Sequence, residues 1–159
     1  MKWIKKNILV IIAIFMILTI VLIYLLYDNS VYSQIKKEFR IDVTNCKKIK
    51  SKDTHGGFHG DGVIFAILDC SQSNETIINQ IKEWDTLPIT DESILLQFKR
   101  FQLDDFYNDE VKNYDILNKQ NGFYYFKGKN QYDYGDYANF DIAIYDSDNF
   151  VFYYFEYDS

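Results

Sequence analysis

Apolar residues form one long uninterrupted run near the start of the chain. Residues 7–27, NILVIIAIFMILTIVLIYLLY, carry no charge and are flanked by Lys6 and Asp28. At about 1.5 Å per residue, a helix of this length is roughly 31 Å long and would cross a bilayer core of about 30 Å. Because Lys2, Lys5 and Lys6 precede the run, the positive-inside rule predicts a cytoplasmic N-terminus.

The apolar run also sets the predicted domain organisation and location. A cleaved signal peptide is the alternative, but its apolar region usually has only about 7 to 15 residues. We therefore expect a cytoplasmic tip and an uncleaved transmembrane signal anchor over residues 1–29, and one extracytoplasmic domain over residues 30–159. The predicted protein is a single-pass protein of the cell membrane.

After this run, apolar positions recur with the period of a helix in two places. Val31, Ile35 and Phe39 are four residues apart and predict a short amphipathic helix. A second helix is predicted between residues 74 and 84, where the isoleucines share one face, and Pro88 follows its end.

Strands are predicted from β-branched or aromatic runs and from period-2 alternation. Residues 63–69 are almost entirely apolar, which is typical of a well-buried strand, and residues 140–145, FDIAIY, alternate with the period of a half-buried strand. Further strands are predicted at residues 123–126 and 150–157, whereas residues 89–118 have no clear pattern. This order predicts an α+β fold, with an antiparallel sheet of about four to six strands packed by one or two helices.

Charge narrows the range of partners. The chain has 17 basic and 23 acidic residues, a net charge of −6, so nucleic acid is not expected as a partner. Tyr132, Tyr134 and Tyr137 lie among acidic residues and would suit a sugar or protein surface, but an ordinary loop with packing aromatics is the favoured explanation. The expected partners are the membrane and a cell-surface protein or glycan.

A loop rich in histidine and glycine is the best candidate site. Residues 53–62, DTHGGFHGDG, contain both histidines of the chain. Glycine lets a backbone approach a ligand closely, and His with Asp can bind zinc or another divalent metal, or the exposed amides can bind an anion. A hairpin connection whose glycines only make the turns is the alternative. The candidate ligand-binding residues are Asp53, His55, Gly56, Gly57, His59, Gly60 and Asp61, and the candidate metal ligands are Asp53, His55, His59 and Asp61.

The two cysteines lie on either side of this loop. A hairpin centred near residue 58 would place Cys46 opposite Cys70, where a disulfide could close the base of the loop. Two small buried thiols are the alternative.

Recognised catalytic signatures are absent from the sequence. No G-x-S-x-G elbow, P-loop or Rossmann fingerprint occurs. Asp146 and Asp148 resemble the start of a calcium loop, but the required glycine and later glutamate are missing, so we expect a turn there. The sequence does not decide whether the protein is an enzyme, but it favours a protein without catalytic activity.

Three segments carry a resemblance to a known group of proteins. They are residues 53–62, DTHGGFHGDG, residues 121–126, NGFYYF, and residues 142–148, IAIYDSD. Together they resemble small, uncharacterised, membrane-anchored or exported proteins of low-GC Gram-positive bacteria. The resemblance implies a bacterial cell-surface location and no assigned activity.

These observations support three functional hypotheses. The first is a non-enzymatic module that binds a ligand or protein through the histidine–glycine loop and nearby aromatics. The second is a metal-binding accessory factor or metal-dependent hydrolase that uses the same loop. The third is an immunity or signalling protein whose membrane helix contacts a partner, although only Thr19 interrupts that helix.

Overall fold

The protein is an α+β chain built on one antiparallel sheet. The computed structural model describes residues 2–28, 30–56, 61–102, 112–131 and 137–158. The helices are α1 (Lys2–Asp28), α2 (Val31–Phe39), α3 (Asn74–Ile81) and α4 (Glu92–Gln102), and 3-10 turns span Ser71–Ser73, Lys112–Tyr114 and Ile116–Asn118. The strands are β1 (Lys47–Asp53), β2 (Gly62–Asp69), β3 (Asp85–Thr86), β4 (Gly122–Gln131), β5 (Tyr137–Asp146) and β6 (Val151–Asp158).

The six strands pair antiparallel in the order β1-β2-β6-β5-β4-β3. The C-terminal strand β6 therefore lies at the centre, between β2 and β5. Strand β1 forms one edge and the two-residue strand β3 forms the other.

Both faces of the central strands are covered. On one face, Ile35 of α2 and Ile77 of α3 pack with Ala66 and Tyr154 of the sheet. On the other, Phe98 of α4 packs in a separate cluster with strand residues of the opposite parity. Two layers of helix therefore enclose the sheet, and this explains why β2 is apolar on both faces.

This double coverage changes the interpretation of β5. The alternation in residues 140–145 predicts a half-buried strand, but all six residues are buried, including Asp141 with no exposed surface. Helices α2 and α3 cover the face that the pattern assigns to solvent. A buried carboxylate therefore lies in the middle of the sheet.

Polar side chains cap the N-terminal ends of the helices that pack on the sheet. The Ser30 side chain accepts a hydrogen bond from the Ser33 amide at 3.3 Å and caps α2. Asp91 precedes α4, and its Oδ1 accepts from the Ser93 amide at 2.8 Å. These caps satisfy amides that the helices leave without intrahelical partners.

The predicted membrane anchor is wrong. Among the residues that the structure describes, no helix combines the length and apolar character needed to cross a bilayer. The predicted fold class is thus corrected: the described residues form an α+β fold with a six-stranded antiparallel sheet, and none of their helices could span a membrane. The same finding contradicts the predictions that depend on the anchor. These are the signal anchor itself, the single-pass location in the cell membrane, the cytoplasmic N-terminus and the extracytoplasmic domain.

Candidate functional site

An open groove runs between the start of α2 and strand β1. It has a volume of about 240 Å³. Val31 and Tyr32 of α2 line one wall, β1 lines the other, and Ile64 of β2 lies at the floor. The remaining lining residues are Ser30, Gln34, Lys48, Ser51, Lys52 and Asp53.

The groove exists because α2 crosses the sheet without covering β1. Val31, Ile35 and Phe39 bury one stripe of α2 against the central strands. Every residue of β1 except Lys50 is exposed. The edge of the sheet is thus accessible beside a helix that supplies one wall of a cleft.

The register shows which backbone groups of β1 point away from the sheet. The Thr54 amide donates to the Val63 carbonyl at 2.9 Å, so residue 54 faces β2. Inward and outward backbone groups alternate along an antiparallel strand. Lys52 therefore also faces β2, whereas Ser51 and Asp53 direct their N–H and C=O groups to the outer edge. Strand β1 ends the sheet on that side within the described residues.

Side chains of β1 separate by face in the same register. Ser51 pairs with Ala66 and lies on the face of α2, whereas Lys50 and Lys52 pair with Ile67 and Phe65 and lie on the face of α4. An irregularity between Lys48 and Lys50 leaves Ile49 51% exposed. Lys48 pairs with Leu68 on the face of α2, so lysines lie on both faces of this edge, and the α2 face borders the groove.

Asp53, which lines the groove, lies beside His55, whose ring is flanked by two carboxylates. Asp53 Oδ1 accepts from the His55 amide at 2.9 Å and lies 2.8 Å from His55 Nδ1. His55 Nε2 lies 3.5 Å from Asp158 Oδ2. A Cβ on Gly62 would lie 2.6 Å from the His55 Cα, so glycine is required for this close approach. The imidazole therefore lies between the end of β1 and the end of β6.

The other residues of the predicted site either do not join this contact or lie outside the residues that the structure describes. Gly56 and Asp61 are exposed, and Gly57, His59 and Gly60 lie outside the described residues. In the part of the chain that the structure describes, no three metal-ligating side chains come together. The ligand set with His59 therefore stays a prediction.

An ionic cluster that sequence reasoning missed lies on the sheet beside α2. Lys129 Nζ is 2.9 Å from Asp141 Oδ2 and 3.3 Å from Glu156 Oε1. Tyr154 donates to Glu156 at 2.8 Å, and Lys127 binds Glu38 of α2 at 2.5 Å. Cross-strand pairing of Asp141 with Glu156 and Lys127 assembles the cluster. No local sequence signal shows this, because the residues come from separate strands.

Burial dominates the electrostatics of Asp141. It raises the pKa of this carboxyl to about 6, against an ordinary value of 3.8, although Lys129 opposes the shift. The ionised form is therefore disfavoured in the folded chain, and the lysine only partly compensates for lost hydration.

The raised pKa predicts how the Asp141→Asn variant will behave. The folded chain keeps a proton that the unfolded chain releases, so this contribution to stability is complete below about pH 4 and is lost as the pH rises through about 6. We expect the variant to gain about 2 kcal/mol at pH 7 relative to the natural chain, and little at pH 4.

Urea unfolding of both proteins at each pH measures this difference. The difference in unfolding free energy between the two proteins is the informative quantity. Asp42 and Glu38 have lowered pKa values, so in both proteins they make the unfolding free energy rise with pH. A variant that is less stable than the natural chain at pH 7 would contradict the account of Asp141.

A disulfide closes the hairpin behind the groove. Cys46 and Cys70 are bonded, with their Cα atoms 4.4 Å apart. Lys47 pairs with Asp69, so the cysteines lie directly beyond the end of the ladder that is opposite the connecting loop. Tyr32 of α2 also donates to the Cys46 carbonyl at 3.2 Å. The bridge therefore holds β1 next to β2 and next to the helix that forms the other wall.

Comparison with known proteins provides no assignment for this site. No family model, no curated protein and no solved structure matches the chain. The function is therefore inferred from the geometry described above.

Proposed function

We propose that this chain is a non-enzymatic protein-binding module that takes an extended segment of a partner along the outer edge of β1. The observation that carries the proposal is the outward direction of the Ser51 and Asp53 backbone groups beside an open groove of about 240 Å³. A strand edge with a neighbouring pocket offers both hydrogen bonds and a place for a side chain.

The physical basis is strand addition. An added strand would exchange hydrogen bonds with Ser51 and Asp53 and extend the six-stranded sheet. Alternate side chains of that strand would lie on the face of α2, where the groove between Val31 and Ile64 receives one of them. Main-chain bonds would supply affinity and the groove would supply selectivity.

Lysines and an irregular register also protect edge strands from uncontrolled pairing. Strand β1 has both features, so protection alone is the competing explanation. The two explanations differ in a measurable way. A strand that is only protected from pairing binds no extended peptide, whereas a recognition edge binds extended peptides of particular sequences.

The test is selection from a phage library of random linear peptides on the folded chain. We expect peptides that bind the natural chain to lose at least about tenfold in affinity for Ser51→Pro, because proline removes an outward N–H and leaves the ladder with β2 intact. Ser51→Ala is the matched control, since it keeps the amide and should bind within about twofold. Calorimetric titration measures both, and circular dichroism verifies the folds.

A second measurement leaves the protein unchanged. Two methylated forms of a selected peptide are compared, one with the odd-numbered and one with the even-numbered backbone nitrogens methylated. Only one edge of an added strand faces β1, so one form should lose binding and the other should keep it. Equal affinity of both methylated peptides, or selected peptides that bind Ser51→Pro as tightly as the natural chain, would refute the proposal.

A further inference from the structure

We infer that the ionic cluster beside α2 is a pH-sensitive switch, which favours the docked position of this helix, and with it the groove, in mildly acidic solution. The inference rests on the proposed function for its consequence, since it concerns how the groove at the binding edge is regulated. Two features of the cluster support it: a cation shared between carboxylates, and the exclusion of water by α2.

Two carboxylates of the cluster share one ammonium group. Asp141 of β5 and Glu156 of β6 are directly paired, so their side chains lie on the same face, about 5 Å apart. Lys129 Nζ contacts both of them, at 2.9 Å and 3.3 Å. Asp141 Oδ1 is buried and receives no hydrogen bond from the described residues. The shared cation therefore leaves this pair of carboxylates incompletely neutralised.

Helix α2 adds a third carboxylate to the cluster. Glu38 binds Lys127, the residue of β4 that pairs with Asp141. The docked arrangement thus brings three carboxylates together with two ammonium groups, those of Lys127 and Lys129. One added proton would balance these charges.

Asp141 is the group that takes up this proton. Burial, reinforced by the charges of Glu156 and Glu38, raises the pKa of Asp141 to about 6 against the opposing effect of Lys129. Lys129 stays charged, because Asp141 raises the pKa of this lysine although burial opposes the shift.

The neighbouring groups keep their protonation states. Burial opposes the shift, but Lys127 lowers the pKa of Glu38, so this carboxylate stays ionised in mildly acidic solution. Burial raises the pKa of Tyr154, which stays protonated and donates to Glu156 at 2.8 Å. Asp158 adds a further negative charge near Lys129. The change between pH 5 and pH 7 is therefore centred on Asp141.

Docking of α2 and ionisation of Asp141 oppose each other. Asp141 has no exposed surface, and Ile35 and Phe39 of α2 belong to the apolar cluster on the same face of the sheet. When α2 leaves the sheet, water reaches the carboxylate and its pKa returns toward the ordinary 3.8. A proton that binds more tightly to the docked form makes docking more favourable at low pH. The docking equilibrium should therefore be about tenfold more favourable at pH 5 than at pH 7.5, and this advantage is lost as the pH rises through about 6.

Helix α2 is the element of the groove that can open. It has nine residues, and a helix of this length is not stable alone in water, so it depends on docking for its conformation. The opening of one short element costs less free energy than global unfolding. Because Val31 and Tyr32 form one wall of the groove, each opening removes the groove.

Amide hydrogen exchange of the free chain tests the inference. Exchange is measured at about pH 5 and about pH 7.5 and corrected for the intrinsic rates, which gives the frequency at which α2 opens. We expect the protection of the Ile35 and Phe39 amides to be about tenfold greater at the lower pH. Glu38 acts in the opposite direction, but mainly below its ordinary value of 4.5, so the comparison stays at pH 5 and above.

Two variants assign the effect to its group. Asp141→Asn should show the same protection of α2 at both pH values, to within about twofold, whereas Asp85→Asn, the same change at an exposed position of β3, should keep the tenfold difference. Equal or lower protection of α2 at pH 5 in the natural chain would overturn the inference. A tenfold difference that persists in Asp141→Asn, or that disappears in Asp85→Asn, would also overturn it. No peptide is present in these measurements, so their failure leaves strand addition at β1 standing.

Discussion

Replacing Gly122 by alanine should cost at least about 4 kcal/mol of unfolding free energy, the largest loss that we expect from a single substitution. Gly122 has φ = +139°, a conformation that side chains with a Cβ rarely adopt. An added Cβ would lie 1.9 Å from the Tyr145 carbonyl oxygen and 3.1 Å from the Ser147 amide. Both are backbone atoms, so no side-chain rotation relieves the overlap.

The position is sensitive because three strands meet there. Gly122 opens β4, pairs with Asp146 of β5, and accepts a hydrogen bond from the Leu87 amide after β3. Urea unfolding followed by circular dichroism measures the loss. Gly56→Ala is the matched control, since its Cβ would meet only the Thr54 carbonyl at 3.8 Å and should cost less than about 1 kcal/mol. A Gly122→Ala chain with the stability of Gly56→Ala would contradict the described turn.

Removing the disulfide should have the next largest effect. The double variant Cys46→Ala/Cys70→Ala should lose about 3 kcal/mol, because a closed loop across a sequence separation of 24 no longer restricts the unfolded chain. Both cysteines are buried, so the bridge is protected in the folded protein. The unfolded chain should become more extended, and the dependence of unfolding free energy on urea should steepen.

Reduction of the natural chain provides the control for the alanine substitutions. Reduced natural protein and the double variant should unfold at similar urea concentrations, since both lack the same restraint. Identical midpoints for the oxidised and reduced natural chain would show that the bridge contributes nothing to stability.

Much of the sheet follows from local sequence patterns. The sequence predicts strands at residues 63–69 and 150–157, and these correspond to β2 and β6, since runs of β-branched and aromatic residues favour a pleated, buried conformation. Residues 94–98 belong to the stretch without a clear pattern, and they form part of α4. Such a short, mostly apolar stretch fits either a strand or a helix, and in the fold Phe98 packs edge-on against Phe155.

The groove could not be predicted, because it depends on which strand ends the sheet. Strand β1, KKIKSKD, has no apolar alternation and gains its conformation from pairing with β2. Asp53 and His55 are candidates from the sequence, but the position of His55 beside Asp158 depends on the register of strands that are distant in the chain. The same holds for Lys129 and Asp141.

Amide hydrogen exchange tests the central claim, that the outer edge of β1 is the binding edge, most directly. With a saturating extended peptide, exchange should slow at the Ser51 and Asp53 amides, whereas the Lys52 amide, already directed to β2, should change little. Slowed exchange that is confined to other elements, with Ser51 and Asp53 unchanged, would contradict the account.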